Sequence, residues 1–259
     1  MGTAEVNGAR LWYDEAGDGP AVVLVHGGLG DSRLWEPEVA PLAERFRVVR
    51  YDLRFFGRST GPAAPFSHVE DLLGLLDWVE APRAALVGLS FGGLVAFDAA
   101  LAAPERCRAL AGVCPALSGH DADAYTAEQD AAFEAALEAG DLERAMEIDF
   151  EVWAPLGADD LMRELWHATP DANPLPPGVD PRPAPSPARP RLDELAAPTL
   201  VVTARHDPPG FREVGEIVER EAPNARRTEV DSDHYLTLRE PALVTRLLLD
   251  FLTETEPEQ

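Results

Sequence analysis

A G-x-S-x-G pentapeptide between two apolar segments constrains the fold of this chain more than any other feature. Residues 84–87 (AALV) are typical of a short buried strand, and residues 94–100 (LVAFDAA) are typical of a helix. The pentapeptide, residues 88–92, therefore lies at a strand-to-helix turn. Its glycines let the backbone turn sharply, which holds Ser90 in a strained conformation with its hydroxyl exposed at the positive end of the helix. A plain glycine-rich turn is the alternative, and the rest of the chain must decide between the two.

Strands alternate with helices along most of the chain, which indicates an α/β fold. Apolar, strand-like runs occupy residues 21–25, 47–52, 84–88, 109–114, 199–203 and 226–230. Helical segments separate them, at residues 34–46, 66–80, 91–103, 211–222 and 240–252. Continuous apolar strands joined by helices are typical of a parallel sheet that helices cover on both faces.

The alternation stops between residues 117 and 190. Residues 117–168 show only helical segments rich in alanine and acidic residues, and residues 170–190 contain nine prolines, which exclude regular helix and sheet. We expect a core domain made of residues 1–116 and 191–259. Residues 117–190 are expected to form a helical cap with a proline-rich return segment, which we interpret as a rigid linker.

Charge and cysteine content restrict the partners and the compartment. The formal net charge of −24 disfavours nucleic acid and anionic membrane as partners, because either would repel this surface. No apolar run approaches the roughly 20 residues that span a bilayer, and the N-terminus lacks the basic and apolar regions of a signal peptide. On one strand, Cys107 and Cys114 would lie about 23 Å apart at about 3.3 Å per residue, too far for a disulfide. These features predict a cytoplasmic protein with two free thiols.

A nucleophilic serine needs a base, an acid that orients the base, and donors for the oxyanion. Ligands in open α/β sheets collect at the carboxyl ends of the strands, so the residues that follow strands are the candidates. His234 follows the last strand and Asp207 follows the strand at 199–203, whereas no carboxylate follows the strand that ends at Cys114. The order Ser90, Asp207, His234 is the one expected for a nucleophile at this kind of turn. Asp233 is an alternative orienting acid, although a residue adjacent to the base in sequence rarely has the needed geometry.

Five segments carry a resemblance to a known family: VLVHGGLGDSRLW, RYDLRFFGRS, LVGLSFGGLVA, PTLVVTARHDP and DSDHYLTLREP. Together they resemble the signatures of the α/β-hydrolase superfamily, and most of all its soluble bacterial, cap-bearing esterase, lactonase and haloperoxidase-like members. The resemblance covers nearly the whole chain outside the insertion, and it is not specific for a substrate. It implies an α/β-hydrolase fold: a mostly parallel sheet of about eight strands with helices on both faces and a helical cap inserted after the sixth strand.

The resemblance also assigns roles to the candidate residues. By it, Ser90 is the nucleophile, His234 the base and Asp207 the acid of a catalytic triad. The oxyanion hole is similar to those built from two backbone amides, which here would be the amides of Gly28 and Phe91. Loss of one such donor typically lowers turnover by about 10²–10³.

Other residues of these motifs are expected to be structural or to line the substrate pocket. His26 is expected to be a buried hydrogen-bonding residue, and Asp52 and Arg54 are expected to form an ion pair that braces the same loops. Phe55 stands where the family commonly has a glycine, so its loop must either avoid a positive φ or pack differently. The candidate pocket residues are Leu29, Phe55, Phe133, Phe150, Trp153, Trp166 and Tyr235.

These residues predict a serine hydrolase that cleaves a small carboxylic ester or lactone through an acyl-enzyme. The serine disfavours relatives with an aspartate nucleophile, whereas C–C bond hydrolysis, perhydrolysis and peptide hydrolysis remain open because they use the same residues. A ligand receptor with this fold and slow turnover is a second alternative. We expect no metal and no cofactor, since the histidines lack ligand spacing and no nucleotide-binding loop is visible. The expected partner is the small-molecule substrate, and formation of a homodimer is left open.

Overall fold

An eight-stranded sheet with the strand order β1-β2-β4-β3-β6-β7-β9-β10 organises the protein. The computed structural model describes residues 1–173 and 175–256; Pro174, part of the predicted return segment, lies outside the described residues. In chain order the strands are β1 (Gly2–Val6), β2 (Ala9–Ala16), β3 (Ala21–Val25), β4 (Arg47–Tyr51), β5 (Pro65–Phe66), β6 (Ala84–Leu89), β7 (Cys107–Val113), β8 (Asp180–Pro181), β9 (Thr199–Ala204) and β10 (Ala225–Val230).

The sheet is mostly parallel, as predicted. Strand β2 pairs antiparallel with both β1 and β4, and the remaining neighbours in the large sheet pair parallel. Because parallel strands all point the same way, the loops that follow β3, β4, β6, β7, β9 and β10 emerge at one edge of the sheet. That edge is where the sequence places the candidate site.

Helices cover both faces of the sheet, which confirms the predicted layers. They are α1 (Glu36–Leu42), α2 (His68–Trp78), α3 (Phe91–Ala102), α4 (Ala127–Ala139), α5 (Leu142–Trp153), α6 (Asp160–Trp166), α7 (Pro209–Glu221), α8 (Leu236–Arg239) and α9 (Pro241–Glu254). Within the described part of the chain, each helix is too short or too polar to cross a membrane.

Strand β3 shows how the sequence divides the core. Successive side chains of a strand point to opposite faces, so a continuous apolar run feeds two cores at once. Val22 and Leu24 pack in the same buried cluster as the side chains of α1 and α9. Val23 and Val25 belong to a second buried cluster with the side chains of α2, α3 and most of those from α7. The parallel centre is therefore buried on both sides, which is why its strands read as unbroken apolar runs.

The insertion follows β7, the sixth strand of the large sheet, and contains α4, α5 and α6. Local sequence signals determine where these helices begin and end. Thr126 and Gln129 form a capping box at the start of α4, and Gly140 ends α4 with a φ of +70°. Asp141 and Asp159 accept hydrogen bonds from the first turns of α5 and α6.

The proline-rich return segment is more regular than predicted at one point. Strand β8 pairs parallel with β5, and the Arg182 amide donates to the Phe66 carbonyl over 2.8 Å. Prolines tolerate this arrangement because a two-residue edge strand needs few backbone donors. The return segment therefore runs beside the start of α2 before the chain re-enters the core.

Candidate active site

Ser90 lies between the end of β6 and the first residue of α3, with φ of 52° and ψ of −118°. This backbone conformation is strained for a residue with a side chain. The flanking glycines are required sterically: a Cβ at Gly88 would lie 2.3 Å from the Gly92 carbonyl oxygen, and one at Gly92 would lie 2.3 Å from the Val25 carbonyl oxygen. The glycines therefore let β6, α3 and β3 approach closely, and the strained turn presents Ser90 at the edge of the sheet.

His234 and Asp207 are joined by a hydrogen bond beside Ser90. The Nδ1–H of His234 donates to Oδ1 of Asp207 over 2.9 Å, and both side chains are buried. Asp207 lies in the loop after β9 and His234 in the loop after β10, so adjacent parallel strands bring them together. Among the described residues, Nε2 of His234 has no hydrogen-bond partner. The ring thus has one nitrogen fixed by a carboxylate and the other available to accept a proton.

Ser90 and His234 line the same small cavity. Its volume is about 10 Å³, and its walls are Gly27, Gly28, Leu29, Leu34, Leu89, Ser90, His234 and Tyr235. Among the described residues, Nε2 of His234 accepts no hydrogen bond from the Ser90 hydroxyl. Bonds of this kind are often long in the absence of substrate and shorten when substrate binds.

The loop after β3 lies directly against the Ser90 turn. A Cβ added to Gly27 would lie 3.2 Å from the Ser90 Cβ, and one added to Gly28 would lie 3.9 Å from the Phe91 Cβ. Phe91 is the first residue of α3, a position whose amide has no acceptor within its own helix. The two predicted oxyanion donors, Gly28 and Phe91, are therefore neighbours beside the nucleophile.

Four of the predicted pocket residues lie at the site. Leu29 and Tyr235 line the cavity. The ring centroid of Trp153 lies 4.5 Å from that of His234, and Phe150 packs against Tyr235 at 6.0 Å. Helix α5 of the insertion thus brings two aromatic rings to the catalytic edge of the core.

The other three candidate pocket residues lie away from the cavity, because each packs against or bonds to other side chains. Phe55 packs edge-on against Phe66 with 5.5 Å between centroids. Phe133 packs against Tyr125 at 5.9 Å, on the side of α4. Trp166 is fully buried within the insertion, where its Nε1–H donates to Oδ2 of Asp149 over 2.5 Å. Of the four predicted aromatic residues on the inserted helices, Phe133 and Trp166 therefore pack within the insertion, and the other two face the site.

Phe55 adopts a φ of +68°, so it keeps the left-handed conformation that a glycine would supply. The loop therefore does not avoid a positive φ. Phe55 has a strained backbone conformation, and the packing of its ring on Phe66 stabilises that conformation. This strain lies outside the cavity that contains Ser90.

The expected ion pair between Asp52 and Arg54 is not formed. Asp52 instead accepts hydrogen bonds from Arg58, at 2.7 and 2.9 Å, and from the Ser32 hydroxyl at 2.6 Å. Arg54 donates two hydrogen bonds to Asp71 at the start of α2. The chain enters a turn at Arg54, shortly after the end of β4, so the two side chains find separate partners.

Asp233 does not orient the base. Its Oδ1 accepts from the Nε–H of Arg239 over 2.6 Å, and its Oδ2 accepts from the Leu156 amide over 3.2 Å. Arg239 also donates to the Gly157 carbonyl. This buried carboxylate therefore ties the end of α5 to the core next to His234, while Asp231 is exposed and faces His206.

A buried thiol completes the surroundings of the Asp207–His234 pair. Ligand-type atoms of Cys114, Asp207 and His234 all lie within 4.8 Å of one another. Burial raises the pKa of the Cys114 thiol well above its usual value, so it remains protonated and is a poor metal ligand. Because the Asp207–His234 bond already occupies the other two groups, we interpret the cluster as a hydrogen-bonded carboxylate–imidazole pair beside a neutral thiol. Cys107 and Cys114 are both free and buried, as predicted.

Sequence reasoning missed Phe211, Leu34 and Leu89. The ring of Phe211, in the first turn of α7, lies 5.2 Å from the ring of His234. Its position four residues after Asp207 was the available signal, because the first turn after a catalytic loop faces the same edge. Leu34 and Leu89 line the cavity but have no distinguishing pattern in the sequence.

Comparisons with known proteins agree with this architecture. The family described as the alpha/beta hydrolase fold matches residues 20–241. The enol-lactonase from Burkholderia xenovorans LB400 is similar with a TM-score of 0.68 and 27% identity, covering 97% of this chain and 99% of that one. A hydrolase from Pseudomonas aeruginosa PA01 is similar with a TM-score of 0.78 and 27% identity, covering 96% and 97%.

A curated relative matches over a shorter region. The epoxide hydrolase from Caballeronia sordidicola is 37% identical over 113 residues, which represent 41% of this chain and 34% of that protein. The chain therefore matches about a third of that relative's length.

Proposed function

The chain belongs to the α/β-hydrolase family, and we propose that it is a serine hydrolase of small carboxylic esters or lactones. The observation that carries the proposal is the pairing of a strained Ser90 with a buried His234–Asp207 hydrogen bond whose free Nε2 shares a cavity with the serine. Similarity to an enol-lactonase at 27% identity supports the reaction class. The serine at the strand-to-helix turn argues against a reaction that uses an aspartate as the nucleophile.

The proposed reaction follows from the positions of these groups. His234 Nε2 takes the hydroxyl proton as Ser90 Oγ attacks the carbonyl carbon, and the amides of Gly28 and Phe91 stabilise the oxyanion. Collapse of the tetrahedral intermediate breaks the ester bond, and the imidazolium gives its proton to the leaving oxygen. Water, deprotonated by His234, then attacks the acyl carbon. The bond from that carbon to Ser90 Oγ breaks as the imidazolium returns its proton to Oγ, and the acid is released. Asp207 holds the Nδ1–H tautomer throughout and stabilises the imidazolium.

The walls of the cavity support a largely apolar group at the reaction centre, since three of the lining side chains are leucines. The cavity volume of about 10 Å³ is far below the roughly 300–1,000 Å³ of pockets that hold drug-sized ligands, so the surrounding side chains must move to admit a substrate. We propose that residues 117–190 form a cap over this site, since α5 contributes Trp153 and Phe150 and is tied to the core through Asp233. The two buried free thiols support a cytoplasmic location.

The test is hydrolysis of p-nitrophenyl esters from acetate to octanoate, and of simple lactones, by the wild type and by Ser90→Ala. Removal of the nucleophile is expected to lower turnover by on the order of 10⁶. Ser186→Ala, at an exposed serine of the return segment, is the matched control and should retain full turnover.

Other outcomes would contradict the proposal in different ways. A single slow acylation without steady turnover would favour the receptor alternative. Equal activity of the wild type and Ser90→Ala would show that the hydrolysis does not come from Ser90. An inert wild type on both esters and lactones would reject this substrate class, and C–C substrates would be assayed next.

A further inference from the structure

A second cavity lies along the outer face of α3, the helix that begins directly after Ser90. Its volume is about 340 Å³. One wall is a single stripe of α3, at positions i, i+3, i+4 and i+7 of the helix, formed by Phe91, Leu94, Val95 and Asp98. The other walls come from the start of α2, residues 118–119 after β7, and residues 181–184 of the return segment. We call this cavity the α3 groove.

Asp98 lines the α3 groove, and one of its two carboxylate oxygens has no hydrogen-bond partner among the described residues. The residue is 3% exposed, and the Ser118 hydroxyl donates to its Oδ1. In the described part of the chain, Oδ2 has no hydrogen-bond partner. Burial raises the pKa of Asp98 to about 6, so the group is still ionised at neutral pH. A buried carboxylate with a free oxygen is costly unless something donates to it.

His68 presents a second unused polar atom to the same groove. It is the first residue of α2 and is 8% exposed, and its Nδ1 has no partner among the residues the structure describes. Its ring packs edge-on against Phe91 at 5.2 Å and Phe66 at 4.8 Å. Burial lowers the pKa of His68 to about 3, which keeps the ring neutral. The groove is therefore mostly apolar, and its polar wall residues are Ser67, His68, Asp98, Ser118 and Arg182.

The cations near the groove already have carboxylate partners of their own. Arg182, on the return segment, donates to Glu70 over 3.1 Å. Arg191 donates to Glu194 over 2.7 Å. Neither gives a hydrogen bond to Asp98 in the described residues, so its Oδ2 has no cationic donor there.

Phe91 connects the groove with the reaction centre. Its backbone amide is a proposed oxyanion donor, and its side chain is the first residue of the groove wall. Asp98 lies seven residues further along α3, about 10 Å away at roughly 1.5 Å per residue. A substrate chain that leaves Ser90 past Phe91 would reach Asp98 after about that length.

We infer that the α3 groove is a distal substrate subsite, which takes an apolar chain of about 10 Å ending in a primary ammonium group that donates to Asp98 Oδ2. The inference rests on the proposed function. It adds a substrate class: esters whose acyl chain carries a terminal amine. An ammonium suits this site because it supplies several donors and the charge opposite to that of the carboxylate.

The first test compares p-nitrophenyl 8-aminooctanoate with p-nitrophenyl octanoate. In the wild type the amino ester should have a kcat/KM roughly tenfold or more higher, as expected for a hydrogen bond between charged groups. In Asp98→Asn this preference should disappear, while turnover of the acetate ester stays unchanged. Asparagine keeps an oxygen that can accept from Ser118 and replaces the free oxygen with an amide NH₂, which repels an ammonium. A wild type with no preference for the amino ester would overturn the inference.

Ser118→Ala separates recognition from a purely structural role of Asp98. The Ser118 hydroxyl also accepts from the Ala188 amide over 2.6 Å, so the Asp98–Ser118 contact fixes the return segment. If Asp98 acts only by fixing the return segment, Ser118→Ala breaks the same contact and should remove the amine preference as Asp98→Asn does. That result would overturn the inference. A preference retained in Ser118→Ala and lost in Asp98→Asn supports recognition by the free oxygen.

Binding to Ser90→Ala tests the groove without any turnover. Calorimetry would compare N-methyl 8-aminooctanamide with N-methyl octanamide, and then repeat the pair on Ser90→Ala with Asp98→Asn. Tighter binding of the amine that needs Asp98 supports the groove even if the wild type hydrolyses no ester, in which case the proposed function alone fails. Equal binding of the two amides overturns the inference whatever the esters show.

Discussion

Two buried histidines at the same edge of the sheet differ in how many ring nitrogens the protein occupies. In His26, after β3, Nδ1–H donates to the Gly27 carbonyl over 2.8 Å and Nε2 accepts from the Leu53 amide over 2.9 Å. In His234, after β10, Nδ1–H donates to Asp207 and Nε2 has no partner within the described residues. Burial and position at a strand end are common to both. A ring with both nitrogens occupied fixes a loop, whereas a ring with one free nitrogen can accept a proton.

The largest expected effect comes from replacing each ring with alanine. His234→Ala should lower turnover by on the order of 10⁴–10⁶, because Ser90 loses its base. His26→Ala should instead lower the free energy of unfolding by roughly 2–4 kcal/mol, since the Leu53 amide loses its acceptor and a buried cavity opens. Steady-state kinetics and urea denaturation of both variants measure the two effects.

Turnover, and not stability, separates the two histidines. His234→Ala should also lower the free energy of unfolding by roughly 1–3 kcal/mol, because it opens a cavity and leaves Asp207 unpaired, whereas folded His26→Ala should retain turnover within roughly tenfold. If His26→Ala abolished turnover while its free energy of unfolding remained unchanged, the structural role assigned to His26 would be wrong.

A smaller effect is expected from the two carboxylates beside His234. Asp207→Asn should lower turnover by about 10⁴, as replacement of a triad aspartate did in a serine protease. The amide NH₂ can donate to Nδ1 and thereby favour the tautomer with the proton on Nε2, which cannot accept the serine proton. Asp233→Asn should change turnover by less than about tenfold and weaken the tie of α5 to the core by roughly 1–3 kcal/mol.

Kinetic and stability assays of these paired variants decide which carboxylate is the acid. The structure assigns the hydrogen bond to Asp207 and gives Asp233 to Arg239 and the Leu156 amide. A loss of turnover in Asp233→Asn as large as that in Asp207→Asn would contradict this assignment.

The sequence predicts best those site residues whose positions follow from local patterns. The pentapeptide around Ser90 and the order of Asp207 and His234 follow from strand ends and steric rules, and the structure places all three together. The β1–β2 hairpin was missed although Asn7-Gly8 is its turn, with φ values of 49° and 77°. Asn-Gly between short apolar runs is the usual signal for such a hairpin.

Tertiary pairing was the part that the sequence could not supply. Asp52 pairs with Arg58 further along the same loop and with Ser32, and Arg54 pairs with Asp71 on α2, so proximity in sequence gave the wrong pair. The α3 groove likewise needs α2, α3 and the return segment to meet, and no local pattern encodes that meeting. Apolar aromatic residues of the insertion could be identified, but not sorted into those that face the site and those that face each other.

Glu38 shows that free polar atoms indicate function only where a cavity reaches them. This residue of α1 is fully buried, and both of its carboxyl oxygens lack a partner among the described residues, yet it does not line the catalytic cavity. Burial raises its pKa from 4.5 to about 8. Between these values the unfolded chain has an ionised Glu38 and the folded protein a protonated one, so the stability contribution of Glu38 is present below pH 4.5 and falls as the pH rises to about 8.

Glu38→Gln should therefore remove a pH dependence without changing catalysis. Its free energy of unfolding should exceed that of the wild type by a few kcal/mol at about pH 8, since each pH unit contributes about 1.4 kcal/mol, and the difference should shrink as the pH falls towards the unperturbed pKa. Urea denaturation of the wild type, Glu38→Gln and the exposed control Glu44→Gln at pH 5 and pH 8 measures this. Turnover of Glu38→Gln should match the wild type, because no substrate reaches the residue. Parallel pH profiles for all three proteins would mean that Glu38 is paired or hydrated in solution, and a fall in turnover would mean that its free oxygens matter to the reaction.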